Sequence, residues 1–198
     1  MRNKKTLMLV EGAVMLALSI ALSLITPFKK ILPFGGSITL VSMLPICLYS
    51  IKYGIVNGLA VSFLFALFQF AQGAIQDGLF GWGLTAGMLI ACILLDYIVA
   101  YTVIGLAGLF RKKGTAGWIA GICLALGLRF LSHFLSGVYV FASTGKIWDD
   151  LDFIASNKYI YSAVYNAAYM VPEIALTVIV AVILLKLPQT KKLLLTEE

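Results

Sequence analysis

The sequence predicts an all-α integral membrane protein with six transmembrane helices and both termini in the cytoplasm. The chain has 198 residues, of which 61% are hydrophobic and only 12% are charged. Soluble domains carry about a quarter charged residues, so this composition excludes a soluble enzyme, a nucleic-acid-binding protein and a disordered tail. The apolar residues occur in runs of about 20, the length that a helix needs to cross a bilayer. We therefore expect one membrane domain over residues 1–198.

Six apolar segments account for the predicted helices. The first four cover approximately residues 7–25, 38–51, 54–74 and 84–110. The first resembles a signal peptide because basic residues precede it, but its apolar stretch of about 19 residues is too long and no A-x-A cleavage motif follows. The second is short and contains Pro45, which predicts a kink inside a membrane helix.

The last two predicted helices cover approximately residues 118–141 and 159–187. The basic run 111–113 ends the fourth segment before the fifth begins, and Pro188 closes the sixth. A polar loop lies between the fifth and sixth segments and contains Asp149, Asp150 and Asp152. We expect an ordinary solvated loop there.

The lysines and arginines set the orientation of the helices. Of the 15 such residues, ten fall in segments on the same side as the N-terminus, four fall on the opposite side, and Arg129 falls within the membrane. An excess of positive charge marks the cytoplasmic side of a membrane protein. Both termini are therefore predicted to be cytoplasmic.

Ionisable side chains within the predicted helices indicate a functional pocket. A charge at the bilayer centre costs about 2.5–3.5 kcal/mol, so each such group should face a partner or a cavity. Arg129 and His133 are one helical turn apart and share a face. Asp96 and Glu173 fall near the middle of their helices, as does Arg129. We expect a pocket that opens to the outside and has a charged floor, with Tyr161 and Asn166 in its outer half.

The charges within the membrane suggest the chemistry of a ligand. If Arg129 pairs with Glu173, Asp96 is left free to meet a cation. Aromatic residues are frequent around these groups, and aromatic faces attract cations. The combination suits a flat, cationic heterocycle. Simpler interpretations remain open: Arg129 and Glu173 form a structural pair, His133 bridges helices, and most of the aromatic residues face lipid or the membrane interfaces.

The first helix carries a stripe of small residues. Ala13, Ala17 and Ala21 recur every four residues on one face, and we refer to them as the alanine stripe. Small residues at this spacing let membrane helices pack closely. The stripe is compatible with packing inside this protein and equally with docking to another membrane protein.

Several activities lack the residues they need. No phosphate-binding loop is present, so the chain cannot use ATP by itself. Cys47, Cys92 and Cys123 lie within apolar runs without metal-ligand spacing, which predicts no metal site, no disulfide and no cofactor. Ser136 lies close enough to His133 for a nucleophile–base pair, but nothing supplies an oxyanion hole. We therefore predict that the protein is not an enzyme.

Three sequence runs indicate a family. They are LLDYIVAYTVIGLAGLF (residues 94–110), RFLSHFLSGVYVF (residues 129–141) and YSAVYNAAYMVP (residues 161–172). Together they closely resemble the thiamine-specific S component of energy-coupling factor (ECF) transporters, the ThiT (YuaJ) family, and the similarity extends over essentially the whole chain. The resemblance implies a high-affinity thiamine-binding subunit in the cell membrane of a Gram-positive bacterium.

The resemblance also implies partners and a mechanism. The subunit would associate with a transmembrane scaffold, EcfT, and with two cytoplasmic ATPases that supply the missing phosphate loops. It would topple in the bilayer so that its pocket opens to the cytoplasm. In this family the alanine stripe is the docking surface for the scaffold.

The resemblance assigns site residues to matching positions of this sequence. Asp96 would bind the aminopyrimidine, although some members have Glu there. His133, Tyr161 and Asn166 correspond to ligand contacts, and Tyr97 matches a ring-packing position. Phe141 stands where some members stack a Trp on the ligand. Residues 77–88 depart most from the family, and within them Trp82 is a candidate stacking residue. An aromatic lid is expected near Phe34.

Other functions remain possible from the sequence. A neutral flat vitamin such as riboflavin would not need the negative charge of Asp96. A self-sufficient channel or proton-coupled carrier would use Asp96, Arg129 and Glu173 as a relay and would transport without ATPases. An intramembrane enzyme would show turnover that Ser136→Ala abolishes.

Overall fold

The computed structural model describes residues 3–25, 38–148 and 153–195, and these residues are almost entirely helical. The helices are α1 (Lys4–Leu24), α2 (Leu44–Tyr53), α3 (Ile55–Gln76), α4 (residues 86–113), α5 (residues 114–141), α6 (Lys158–Lys186) and α7 (Pro188–Leu195). A 3-10 turn follows α3 at Leu79–Gly81. Between α5 and α6, strands β1 (Gly145–Lys146) and β2 (Ile154–Ala155) pair antiparallel, a small ladder that the sequence analysis did not predict.

The prediction of an all-α membrane protein is confirmed. In the described part of the chain, four helical segments are long and apolar enough to cross a membrane: Lys4–Leu24, Ile55–Gln76, Ala86–Phe141 and Lys158–Lys186. The third of these contains both α4 and α5. The expected lid near Phe34 and the acidic loop residues Asp149, Asp150 and Asp152 lie outside the described residues.

The segment 86–141 folds back on itself between α4 and α5. Phe110 leaves the helical conformation, and Gly114 has φ +65°, a backbone conformation that glycine adopts without strain. Beyond this turn the two helices pack closely, since a Cβ atom on Gly121 would lie 2.1 Å from the carbonyl oxygen of Ala107. The connection is much tighter than the predicted gap of residues 111–117.

Helix α2 differs from its predicted form. The sequence analysis placed a helix over residues 38–51 with a kink at Pro45, whereas the helix begins at Leu44 and Pro45 lies in its first turn. The predicted kink is wrong because proline has no N–H to lose in the first turn, where that group would have no partner. Ten residues rise about 15 Å, half of a bilayer core. Burial of most α2 side chains, including Ile46 and Cys47, places this helix in the protein core.

Helix α1 turns a glycine and two serines inward and its alanine stripe outward. Gly12, Ser19 and Ser23 are buried against the bundle, whereas Ala13, Ala17 and Ala21 are exposed. Gly12 permits close approach of Tyr49, whose hydroxyl would lie 3.0 Å from a Cβ atom at that position. The alanine stripe is therefore not a packing surface inside this protein.

Candidate ligand-binding site

A cavity of about 150 Å³ lies among α3, α4, α5 and α6. This is roughly ten times the space that one water molecule needs. All seven residues that the sequence analysis expected to contact a ligand line it: Trp82, Asp96, Tyr97, His133, Phe141, Tyr161 and Asn166. The structure therefore brings the expected residues from three separate helices and one connection to one place.

Two π-helical turns shape the cavity wall. In α4 the residues Ile93–Val99, with Asp96 at their centre, form a π-helix, and in α5 the residues Gly137–Phe141 form another. The Ser132 hydroxyl donates a hydrogen bond of 2.6 Å to the Leu95 carbonyl within the first of these turns. A π-turn inserts an extra residue into the helix and changes the direction of its side chains, and such turns are frequent at functional sites. The sequence pattern predicted neither turn.

Asp96 is at the centre of a hydrogen-bond network. Its Oδ1 lies 2.8 Å from His133 Nδ1, and its Oδ2 accepts hydrogen bonds from the Ser136 hydroxyl and from Cys92 Sγ, the latter at 3.3 Å. The sequence analysis left Asp96 free to meet a cation, and the structure adds that its carboxylate already has hydrogen-bond partners in the protein. The network arises because Cys92 is one turn before Asp96, while His133 and Ser136 project from the facing helix. Since the Ser136 hydroxyl bonds to the carboxylate, it forms no nucleophile–base pair with His133 here.

The Asp96 contact determines how His133 presents its ring to the cavity. When the imidazole is neutral, the nitrogen that bonds to a carboxylate carries the proton, so Nδ1 donates and Nε2 becomes the acceptor. Nε2 is buried and has no hydrogen-bond partner among the described residues. His133 therefore offers an unused acceptor in the cavity wall.

Arg129 and Glu173 form the expected ion pair beneath the cavity. Arg129 Nη1 lies 3.3 Å from Glu173 Oε2, and the two side chains are 4% and 1% exposed. The guanidinium also donates to the Tyr101 hydroxyl at 3.1 Å and lies 4.7 Å from the centre of that ring. Thr39 donates to the other oxygen of Glu173. Arg129 lines the cavity, and Glu173, which does not line it, balances the charge of the guanidinium.

Asn166 joins two helices in this structure. Its amide nitrogen donates to the Ser162 carbonyl at 2.9 Å and to the His133 carbonyl at 3.4 Å, and its Oδ1 accepts from the Tyr169 hydroxyl at 2.9 Å. These contacts tie α6 to α5 beside His133. Because both amide atoms have partners, a ligand would share Asn166 rather than find it unoccupied.

Aromatic side chains line two sides of the cavity. Trp82 and Phe141 contact each other with ring centres 6.0 Å apart, and Trp82 Nε1 donates to the Asp77 carbonyl at 2.9 Å. On α6, Tyr161 and Tyr165 stack with ring centres 6.1 Å apart. These rings provide flat surfaces on either side of the polar groups.

The sequence analysis missed several lining residues, most clearly those of α3. Gln69, Gln72 and Asp77 line the cavity, as does Gly73 between them. Gln72 and Gly73, three and four residues after Gln69, share a face with it on an otherwise apolar helix, and Asp77 directly follows the end of that helix. That polar pattern was a signal in the sequence, but the search for charged groups passed over the neutral glutamines.

A cavity lined by aromatic rings and by convergent polar groups is typical of a small-molecule site. Its position inside a bundle of apolar helices indicates the class of the protein, a membrane protein with an internal candidate site for a small molecule. Within that class the family is clear: the chain matches the Thiamine transporter protein (Thia_YuaJ) family over residues 9–193 and belongs to it.

Individual relatives agree with this family. The chain is 30% identical over 201 aligned residues to the thiamine transporter ThiT of Bacillus subtilis (strain 168), across 92% of each chain. Its fold is similar to that of ThiT from Listeria monocytogenes, with a TM-score of 0.69 at 21% identity, across 96% of this chain and 99% of that chain.

Proposed function

We propose that this protein is the thiamine-binding S component of an ECF transporter. It binds extracellular thiamine with high affinity and depends on an EcfT-type scaffold and two ATPases for uptake. The observation that carries the proposal is the pairing of Asp96 with His133 in the wall of an aromatic cavity, in a chain of the thiamine transporter family.

The cavity chemistry suits thiamine. Thiamine has a permanently positive thiazolium ring, a flat aminopyrimidine with an exocyclic amine, and a hydroxyethyl tail. Asp96 and Asp77 contribute two carboxylates to the lining of the described cavity, against the single guanidinium of Arg129. The remaining acceptor capacity of Asp96 and the unpartnered Nε2 of His133 suit the amine. Trp82, Phe141 and the tyrosines of α6 suit the two rings.

The proposal includes six membrane-crossing helices, α1 to α6, in the cell membrane of a Gram-positive bacterium. Helix α2 is too short to cross alone, so the described residues 38–43 before it would have to extend its path. The positive-inside rule puts both termini in the cytoplasm. The cavity then faces outward because Asp77 and Trp82 follow the outer end of α3.

Thiamine titration of the detergent-solubilised protein tests the binding step. Trp82 lines the cavity, so thiamine is expected to quench tryptophan fluorescence saturably at nanomolar concentration. Trp82→Phe should lose most of the quenching while calorimetry still detects binding. If calorimetry detects no binding of thiamine to the folded wild-type protein, the proposed ligand is wrong.

A substitution in the exposed alanine stripe tests the proposed coupling of this protein to the scaffold and ATPases. Ala17→Trp is expected to abolish thiamine uptake in vesicles that contain the scaffold and ATPases, because the bulky ring prevents close helix packing. Thiamine affinity should remain within about twofold, since Ala17 points away from the bundle. Ile179→Trp on α6, at an exposed position, is the matched control and should transport normally. Transport by the isolated protein without ATPases would instead support a self-sufficient carrier.

A further inference from the structure

The polar face of α3 is unexplained by the residues assigned to the site so far. Gln69 and Gln72 lie on that face and line the cavity, together with Gly73. Amide side chains are expensive inside a membrane unless they have hydrogen-bond partners. Gln69 lines the cavity, and its Oε1 has no partner among the described residues, which indicates that its partner comes from the cavity.

Gln69 is the most deeply placed of these residues. It is one helical turn before Gly73, which packs so closely against Tyr97 that a Cβ atom would lie 2.2 Å from the tyrosine hydroxyl. It is one turn after Phe65, which contacts the Tyr101 ring edge-on at 5.6 Å. Tyr97 and Tyr101 bracket one turn of α4 directly after Asp96, so Gln69 reaches the cavity at the depth of its charged groups.

The Gln69 side chain is buried, and its carbonyl oxygen is unpaired in the part of the chain that the structure describes. Its residue is 9% exposed, and its Oε1 has no hydrogen-bond partner among the described residues. Gln72 has a partial use, because its Nε2 donates to Gln76 Oε1 at 3.3 Å. A leucine at position 69 would fill the same space without an unpartnered carbonyl. An acceptor retained here is therefore better explained by a ligand than by folding.

We infer that Gln69 is a ligand-contacting residue whose Oε1 accepts a hydrogen bond from an N–H or O–H group of the bound molecule. It acts from the α3 wall, whereas Asp96 and His133 act from α4 and α5. This assignment rests on the proposed function for the identity of the ligand. Thiamine carries two ordinary donors, the exocyclic amine and the hydroxyethyl hydroxyl, and Gln69 meets one of them.

Substitution of Gln69 tests this assignment by calorimetry with thiamine. Gln69→Leu should weaken binding about tenfold or more, because it removes a hydrogen bond and leaves a ligand donor unpaired. Gln69→Glu keeps an acceptor oxygen at the same distance from the backbone. Its affinity for thiamine should therefore be higher than that of Gln69→Leu and close to that of wild type. The matched control is Gln76→Leu on the same helix, which is exposed and does not line the cavity, and its affinity should be unchanged.

Two further measurements separate ligand contact from a structural role. The thermal stability of ligand-free Gln69→Leu should equal or exceed that of wild type, because the variant removes an unpartnered amide. Two thiamine analogues, one with the amine replaced by a carbonyl and one without the hydroxyl, identify the donor. The Gln69→Leu penalty should disappear for one of them.

The outcomes distinguish this assignment from the proposed function. If wild type binds thiamine and Gln69→Leu changes that affinity by less than twofold, the Gln69 contact alone is overturned. A penalty that persists with both analogues, or a loss of ligand-free stability without a loss of affinity, would also overturn it. Failure of wild type to bind thiamine would instead overturn the proposed function.

Discussion

Asp96→Ala is expected to weaken thiamine binding by at least 100-fold. A hydrogen bond to a charged group contributes about 1.5–3 kcal/mol, and two such contacts correspond to roughly two or more orders of magnitude in affinity. The variant also removes the acceptor that holds His133 Nδ1 at 2.8 Å, so His133 loses the orientation that exposes Nε2. Calorimetry with thiamine measures the effect directly.

Asp96→Asn separates charge from shape at the same position. The amide keeps the size of the side chain and one acceptor oxygen, but it loses the negative charge. We expect a loss intermediate between wild type and Asp96→Ala. A neutral flat ligand such as riboflavin would not require that charge. The alternative vitamin would be favoured if wild type does not bind thiamine and Asp96→Asn still binds riboflavin.

Asp77→Asn is the matched control for the Asp96 variants. Asp77 also lines the cavity and carries the same charge, but it is exposed at the end of α3 where water and salt screen it. Its substitution should change thiamine affinity by no more than a fewfold. If Asp96→Ala is folded and binds within tenfold of wild type, the central role of this acid is excluded.

Glu173→Leu is expected to lower the free energy of unfolding by about 3–5 kcal/mol, because it leaves the buried Arg129 guanidinium without its counter-charge. Glu173 is 1% exposed and also accepts a hydrogen bond from Thr39, so its loss leaves both Arg129 and Thr39 without their acceptor. Arg129→Met should be destabilising for the same reason. The unfolding midpoint of the ligand-free protein in detergent measures both.

A double-mutant cycle identifies how much of this effect belongs to the pair. Arg129→Met combined with Glu173→Leu removes both charges and should recover much of the stability that either single variant loses. The partly exposed pair of Lys52 and Glu11, with 2.7 Å between Nζ and Oε2, is the control, and Glu11→Gln should cost less than about 1 kcal/mol. Additive effects of the Arg129 and Glu173 variants would show that the two groups are not coupled.

The class of fold and the charged pair could both be predicted from the sequence, because polar groups are costly in lipid. Long apolar runs predict membrane helices because every backbone polar group must be satisfied inside lipid. The same cost predicts that Arg129 will find a carboxylate, and Glu173 lies 3.3 Å away. The outward direction of the alanine stripe was harder to predict, because spacing identifies a face of small residues but not the direction in which that face points. Burial of Gly12, Ser19 and Ser23 decided that direction.

The sequence by itself determined that this is a helical membrane protein with ionisable groups grouped in its interior. Only the tertiary structure decided which of those groups contact each other. The partners of Asp96 depend on the π-helical turn at residues 93–99 and on the rotation of α5 against α4. In the same way, the place of Gln69 in the cavity wall depends on the rotation of α3. Helical periodicity defines a face on each helix, but the packing of all the helices together sets how those faces meet, because neighbouring side chains must interlock without voids.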